Sequence, residues 1–354
     1  MKLGNANVNK IRLGSTQMKR VYLGSNIVWQ NAPTAIAATG VGTTSFTAEW
    51  EAYSGAVVYY LDVSETSDFS TFVYENQIVE APATSYVVIG LNSNTTYYYR
   101  VRASDDADSL AFFNRVANVG GTLTSTEQIA IIDLVQDLKD YGIWTKMKAV
   151  YPMVGASAAA CAQNLKSSSF TGTFTSGWTY ASTGVTPNGT SAYMNTNIVL
   201  QTDLFGKDSS ISYYSRTDSN GLKADIGSFG NLAVNSISMY TRLNNEFYLD
   251  YPIETSRITV SNTNSLGMYN ANNSSSVGRT LFKNGAKIIN SSFSNNDFPV
   301  NTNPNLIIGS SYSGGRSSDR QIAFASMGSA LTDTEASNYY TAVQAFQTTL
   351  SRNV

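Results

Sequence analysis

The 354-residue chain contains no histidine and a single cysteine, Cys161. Nucleophilic machinery of the Ser-His-Asp or Cys-His kind is therefore absent, and so is histidine metal ligation. One thiol forms no intramolecular disulfide. Its place in the Ala-rich run 156–162 reads as a small buried or loop residue. Two carboxylates suffice for glycoside hydrolysis, but the acidic residues are badly spaced for it. Glu246, Asp250 and Glu254 are four apart and cross Pro252, while Asp203, Asp208, Asp218 and Asp225 are scattered through turn-like contexts. A strand brings residues to one face only at alternate positions. Ser313-Gly314-Gly315-Arg316 lacks the Lys-Ser or Lys-Thr of a phosphate loop and reads as a hairpin turn. No dense Asp/Asn loop argues for calcium. No catalytic residue, metal or cofactor is expected, and the chain reads as non-enzymatic.

Recognition is the chemistry that remains. Saccharide sites stack aromatic rings on a sugar face and surround it with amides and hydroxyls. The candidates are Trp178, Tyr180, Tyr193, Tyr240 and Tyr269, with Asn188, Arg242 and Asn270. The competing role for each is to fill the core or rim of a β-sandwich. Composition suits an outward-facing β-protein: 22 tyrosines, only 14% charged residues and a net charge of −2. Lys and Arg form no cluster, so nucleic acid is not an expected partner. No run of eighteen apolar residues predicts a membrane-spanning helix. The N-terminus lacks the apolar stretch of a signal peptide, so cytoplasmic synthesis without export is expected.

The elements that would position these residues fall into three segments. In residues 1–30, Leu-Gly recurs at Leu3, Leu13 and Leu23, a step of ten. Each unit reads as a short strand plus a turn, too small to bury its apolar face alone. Leu3, Val8, Ile11, Leu13, Met18, Val21, Leu23 and Trp29 are the expected anchoring and oligomerisation residues. The pattern resembles the N-terminal repeats on structural proteins of phages infecting Bacteroidota and related hosts.

Residues 31–124 read as short alternating strands. Phe46, Ala48 and Trp50 share one face, as do Tyr59, Leu61 and Val63. Leu91 stands six residues before Tyr97, and Tyr99-Arg100-Val101-Arg102-Ala103 follows. This resembles the tyrosine corner and inner strand of fibronectin type III domains, which implies a β-sandwich acting as spacer or adhesion module.

Residues 125–354 open on a predicted capping box, Ser125 with Gln128, and a helix closed by Gly142. Strands follow, including an Asn284-Gly285 hairpin turn. A second capping box, Thr332 with Glu335, starts a final helix whose apolar face is predicted as Ala336, Tyr339, Tyr340, Val343, Phe346 and Leu350. The order Leu281-Phe282-Lys283-Asn284-Gly285, Leu306-Ile307-Ile308-Gly309, Leu331-Thr332-Asp333-Thr334-Glu335 resembles concanavalin A-like and laminin G-like domains. The segment 138–155 also resembles C-terminal modules of phage fibre proteins. The fold class expected is mainly β: a fibronectin type III sandwich, then a concanavalin A-like jelly-roll sandwich with flanking helices, preceded by a short β-repeat anchor.

These resemblances imply a phage virion structural protein on the particle surface, a head or tail fibre or decoration. The expected partners are further copies of itself (a trimer, by likeness to phage fibres), other virion proteins through residues 1–30, and host-surface glycans. A decoration or spacer without ligand, a polysaccharide depolymerase and a bacterial adhesin stay open as rival readings.

Overall fold

The computed structural model describes residues 11–13, 16–18, 20–23, 26–30, 33–53, 55–104, 106–204, 206–228, 237–250, 257–275, 278–291, 305–311 and 316–354, with backbone alone up to residue 30. The chain divides into two compact units, Met1–Leu110 and Ala111–Val354.

In the first unit, Ile11–Leu13 pairs antiparallel with Thr16–Met18, and Arg20–Leu23 with Asn26–Gln30. The ten-residue unit is thus a two-stranded hairpin rather than the single strand plus turn expected. Its Leu-Gly-Ser step falls between two strands that pair with each other. The register sets Ile11 opposite Met18 and Val21 opposite Trp29. Leu3 and Val8 lie outside the described residues, as do the side chains of Ile11, Leu13, Met18, Val21, Leu23 and Trp29.

Two three-stranded sheets follow. One has the order Ala35–Thr39, Phe46–Trp50, Ser85–Val88, and the other Tyr98–Ser104, Val58–Ser64, Tyr74–Glu80. Phe46, Ala48 and Trp50 are buried and alternate with half-buried Thr47 and Glu49, as strand periodicity requires. Trp50 packs against Tyr59 with ring centroids 5.4 Å apart. The central strand Val58–Ser64 is buried throughout. Its Asp62 accepts from the Asn76 N–H and the Arg100 Nε, both at 2.8 Å. At the tyrosine corner, the Tyr97 hydroxyl accepts the Asn92 N–H at 2.9 Å and donates to Glu65 at 3.2 Å. That ties the loop to the strand it enters.

After the sixth strand the chain turns into helix α1, Ala107–Asn118, within the segment expected to be wholly β. Asp106 starts it by accepting the N–H groups of Asp108 and Ser109. Ser109, Phe112, Phe113 and Val116 are buried at helical spacing.

The second unit is a two-sheet sandwich framed by helices. Its larger sheet runs Trp178–Ala181, Gly184–Pro187, Ile322–Gly328, Asp208–Ser215, Gly267–Ser274, Gly278–Lys283, Ala286–Ser291, with Met147–Tyr151 also paired to Ile322–Gly328. The facing sheet runs Thr173–Phe174, Met194–Val199, Asn305–Ile308, Ile226–Ser228, Ser238–Leu243, Glu246–Asp250, Ile258–Ser261. Tyr213, Ile211, Tyr269, Ala271, Met327, Ile308, Met239 and Phe247 fill the core between them. Asn284 and Gly285 both take positive φ in the hairpin between Gly278–Lys283 and Ala286–Ser291, the geometry of a type I′ turn.

Helices α2 (Ser125–Asp140), short α3 (Ala158–Cys161) and α4 (Asp333–Thr349) complete this unit. The N-cap of α2 is Thr124, not Ser125, and Glu127 rather than Gln128 closes the box. The Thr124 hydroxyl accepts the Glu127 N–H at 3.2 Å, and the Glu127 carboxylate accepts the Thr124 N–H at 2.8 Å. Glu127 also accepts the Gly155 N–H at 2.8 Å, a second task that Gln128 does not have. At the other end, the Ile143 N–H reaches Leu138 O and the Gly142 N–H reaches Lys139 O. This is a Schellman motif with Gly142 at φ +72°.

Helix α4 lies on the outer face of the larger sheet. Tyr339 and Phe346 flank Phe324, and the Tyr339 hydroxyl donates to Ser326 at 2.5 Å. Ala336, Tyr339, Val343 and Phe346 are buried as predicted, but Ala342 and Gln347 complete the face in place of Tyr340 and Leu350, which stay half-exposed. Gln347 is drawn in by hydrogen bonds to Ala323 O and Arg352. Thr332 and Glu335 form the predicted capping box.

The two cap assignments for α2 separate by mutation. Thr124→Ala is expected to lower stability by about 1 kcal/mol, and Ser125→Ala by about 0.5 kcal/mol or less. Urea denaturation of each variant measures both.

Candidate functional site

Trp178–Ala181 is an edge strand of the larger sheet. Trp178 is half-buried, and its Nε1 donates to Tyr193 O at 3.3 Å. Phe174 packs edge-on against both Trp178 and Tyr180, at 5.0 Å and 5.3 Å between centroids. Gly309, at φ +82°, admits the Trp178 ring: a Cβ there would lie 2.7 Å from it. Asn188 is exposed and organises its own loop. Its Oδ1 accepts the N–H groups of Thr190, Ser191 and Ala192, each at 3.0 Å. Gly177 approaches so near Asn188 that a Cβ would meet its amide at 2.3 Å. Trp178, Tyr180, Asn188 and Tyr193 therefore gather in one region.

The surface continues from this loop into a polar belt. The Gly189 N–H donates to Ser318 O at 3.0 Å. The next residue, Asp319, pairs with Lys223 and accepts from the Ser219 hydroxyl. Asp218 receives Arg242 Nη1 on both oxygens, at 2.8 and 2.9 Å, and Arg242 Nη2 donates to Asn245 at 2.7 Å.

Beneath the belt lies a buried ion pair. Arg320 and Asp225 both have no exposed side-chain surface, and Arg320 Nη1 reaches the two Asp225 oxygens at 3.0 and 3.1 Å. The guanidinium also donates to the carbonyls of Ser219, Lys223 and Arg242. Asp225 accepts the Thr241 N–H and hydroxyl and the Ser318 hydroxyl, all at 2.8 Å. Every lobe of the pair is thus satisfied, which a buried charge requires. Ninety-five residues separate the partners, so no local pattern announces the pair.

Three expected sugar-facing residues are instead interior. Tyr269 is fully buried and stacked on Phe247 at 5.5 Å. Its hydroxyl accepts from Asn262 and donates to Asn264 O, and burial pushes its phenol pKa well up. Asn270 is 2% exposed and donates to the Ser212 hydroxyl. Tyr240 is 1% exposed, its hydroxyl accepting from Arg316 at 2.6 Å. An amphipathic side chain in a strand covered on both faces satisfies its polar end internally. Arg242 remains in the belt, engaged with Asp218.

The carboxylates have structural partners. Asp250 pairs with Arg257 on both oxygens, Asp203 accepts the Val199 N–H, and Asp208 accepts the Ala330 N–H. Glu254 lies outside the described residues. The Cys161 thiol donates to Val154 O, and burial pushes its pKa up to about 12, so it stays protonated and inert at neutral pH.

Burial of Asp218 works against its charge, but the Ser265 N–H and the Arg242 guanidinium outweigh it and hold its carboxyl below the ordinary value. A folded-state pKa below the unfolded one stabilises the fold fully above the unfolded value of ~3.9, and that contribution is lost as pH falls through the folded value. Acid unfolding followed by tryptophan fluorescence is expected to show a shallower decline in Asp218→Asn than in wild type. For the buried pair, Arg320→Met leaves Asp225 enclosed without its partner and is expected to cost about 3–5 kcal/mol, read as a lowered urea midpoint.

Residues 31–111 match the family model of the fibronectin type III domain. No curated protein matches the sequence. Among solved structures, the chain is similar to domain 4 of an extracellular arabinanase from Geobacillus stearothermophilus, solved with arabinotriose: 13% identity, TM-score 0.42, over 55% of this chain and 98% of that one. It is similar also to the binding domain of botulinum neurotoxin serotype D, at 12% identity and TM-score 0.39 over 56% of this chain and 52% of that one. A third likeness is to a mutant Trypanosoma rangeli sialidase, at 9% identity and TM-score 0.43 over 86% of this chain and 49% of that one. The chain thus spans about half the length of the neurotoxin domain and of the sialidase. With the family match, its two three-stranded sheets and its tyrosine corner, segment 31–111 is a fibronectin type III domain.

Proposed function

We propose that this chain is a phage virion appendage protein, seated on the particle by its N-terminal hairpins and meeting host-surface glycans with its C-terminal sandwich. The observation that carries the reading is the hairpin repeat. Paired strands of three to five residues recur with the ten-residue step. Isolated two-stranded hairpins are marginal in water, so these need a partner surface. Copies of the same chain, arranged as a trimer, or a neighbouring virion protein would supply it.

The belt of the second unit supports glycan contact. At one end, exposed Asn188 offers an amide beside the half-exposed rings of Trp178 and Tyr180, whose other surface packs on the core, and Arg242, Asn245 and Ser219 lie along it. Binding without catalysis is the reading for this surface, where Asp218, Asp225 and Asp319 are each held in an ion pair. A specific observation favours one rival, a spacer or decoration without ligand: the belt charges are matched among themselves, Asp218 with Arg242 and Lys223 with Asp319.

Two measurements test the proposal. Deleting residues 1–30 is expected to abolish incorporation into particles and to reduce the solution mass of the purified chain to a monomer. Unchanged incorporation and mass would overturn the anchoring role. On a glycan array, the intact chain is expected to bind and Trp178→Ala to lose the subset of glycans held by the belt. An array left blank by the wild-type chain selects the spacer.

A further inference from the structure

We infer that the fibronectin type III domain carries its own cleft for a neutral saccharide, distinct from the belt on the C-terminal unit. The cleft lies between the loop that follows Ala35–Thr39 and the loop that precedes Tyr98–Ser104, and has a volume of about 390 Å³. Small-molecule clefts occupy ~300–1,000 Å³. Phe46, Leu91, Tyr97 and Tyr99 line its apolar part. The two tyrosines are fixed by their hydroxyls: Tyr97 is held by Asn92 and Glu65, and Tyr99 by the backbone of Ile36 and Glu49. What they offer to a ligand is therefore ring surface.

The polar lining is hydroxyl and amide. Among the described residues, Thr43, Ser45, Asn92 and Asn94 border the cleft, and no Asp, Glu, Lys or Arg does. A charged ligand would lose hydration there with no counter-charge to replace it. A peptide that adds to a sheet edge needs a run of unpaired strand backbone, whereas this cleft is bounded mostly by loop residues, 41–45 and 91–97. The chemistry that fits is a ring with an apolar C–H face and several hydroxyls: an uncharged pyranose.

Titration of the full chain with N,N′-diacetylchitobiose, lactose and maltotriose, followed by saturation-transfer NMR and calorimetry, tests the inference, with sialyllactose as the anionic comparison. At least one neutral probe is expected to bind saturably. Asn92→Ala/Asn94→Ala is expected to weaken that binding by about tenfold or more, a loss of at least about 1.4 kcal/mol. Thr43→Trp, on an exposed loop, fills the cleft and should abolish binding while the melting temperature is kept. The inference is overturned if no neutral probe binds, if sialyllactose binds more tightly than all of them, if binding survives both cleft variants, or if Trp178→Ala alone removes it. That last result moves the site to the belt and leaves the proposed function standing.

Discussion

The second unit turns on one buried contact, the Arg320–Asp225 pair. Its value is positional. A guanidinium has five donors in a rigid plane, and here they reach carbonyls of Ser219, Lys223 and Arg242 as well as a carboxylate. Asp225 in turn holds residue 241 of the neighbouring strand and Ser318. Loop 217–225, the end of Ser238–Leu243 and the approach to Ile322–Gly328 are thus tied to one point. A pair of this kind adds little net stability over a well-packed apolar replacement. It does leave the segments above it few alternative arrangements: the loops that carry Asp218, Lys223 and Asp319, and the strand end that carries Arg242.

The larger sheet shows a related constraint. Covered by the facing sheet on one side and by α4 on the other, its central strands are buried over nearly their whole length. The helix-facing side is not uniformly apolar. Ser212 stands opposite both Asn270 and Ser326 across the ladders, and Asn272 links Asn270 to the Leu331 N–H. This polar row gives α4 a defined seat, because its groups are satisfied only when Tyr339 and the Leu331 backbone sit where they do. Arg352 closes the arrangement at the far end, donating to Pro152, Met153 and Ala323 carbonyls.

Features written in a few adjacent residues were legible from the sequence. The Phe46-Ala48-Trp50 alternation, the Leu91 to Tyr97 corner, the Asn284-Gly285 turn and the Thr332–Glu335 box each rest on local chemistry. The α2 cap slipped by one residue because Thr124 and Ser125 are both good caps and are followed at the right distance by Glu127 and Gln128. Helix α1 was hidden by the strand pattern that runs up to it, although Asp106 followed by Phe112, Phe113 and Val116 is a usable signal. The hairpin nature of the repeat was missed because strands of three to five residues are too short to show a clear period. Placing aromatic and amide residues failed for a different reason. Tyr240, Tyr269 and Asn270 have the composition of a sugar site, but strand sequence alone does not say that both faces of a sheet are covered.

The hairpin form of the N-terminal repeat changes what a repeat adds. Ten residues laid out as one strand would span ~33 Å. Folded back on themselves as a hairpin, they occupy about two strand widths, ~10 Å, and the chain leaves beside where it entered. Gaining or losing one unit therefore changes the number of paired strands far more than the reach of the chain.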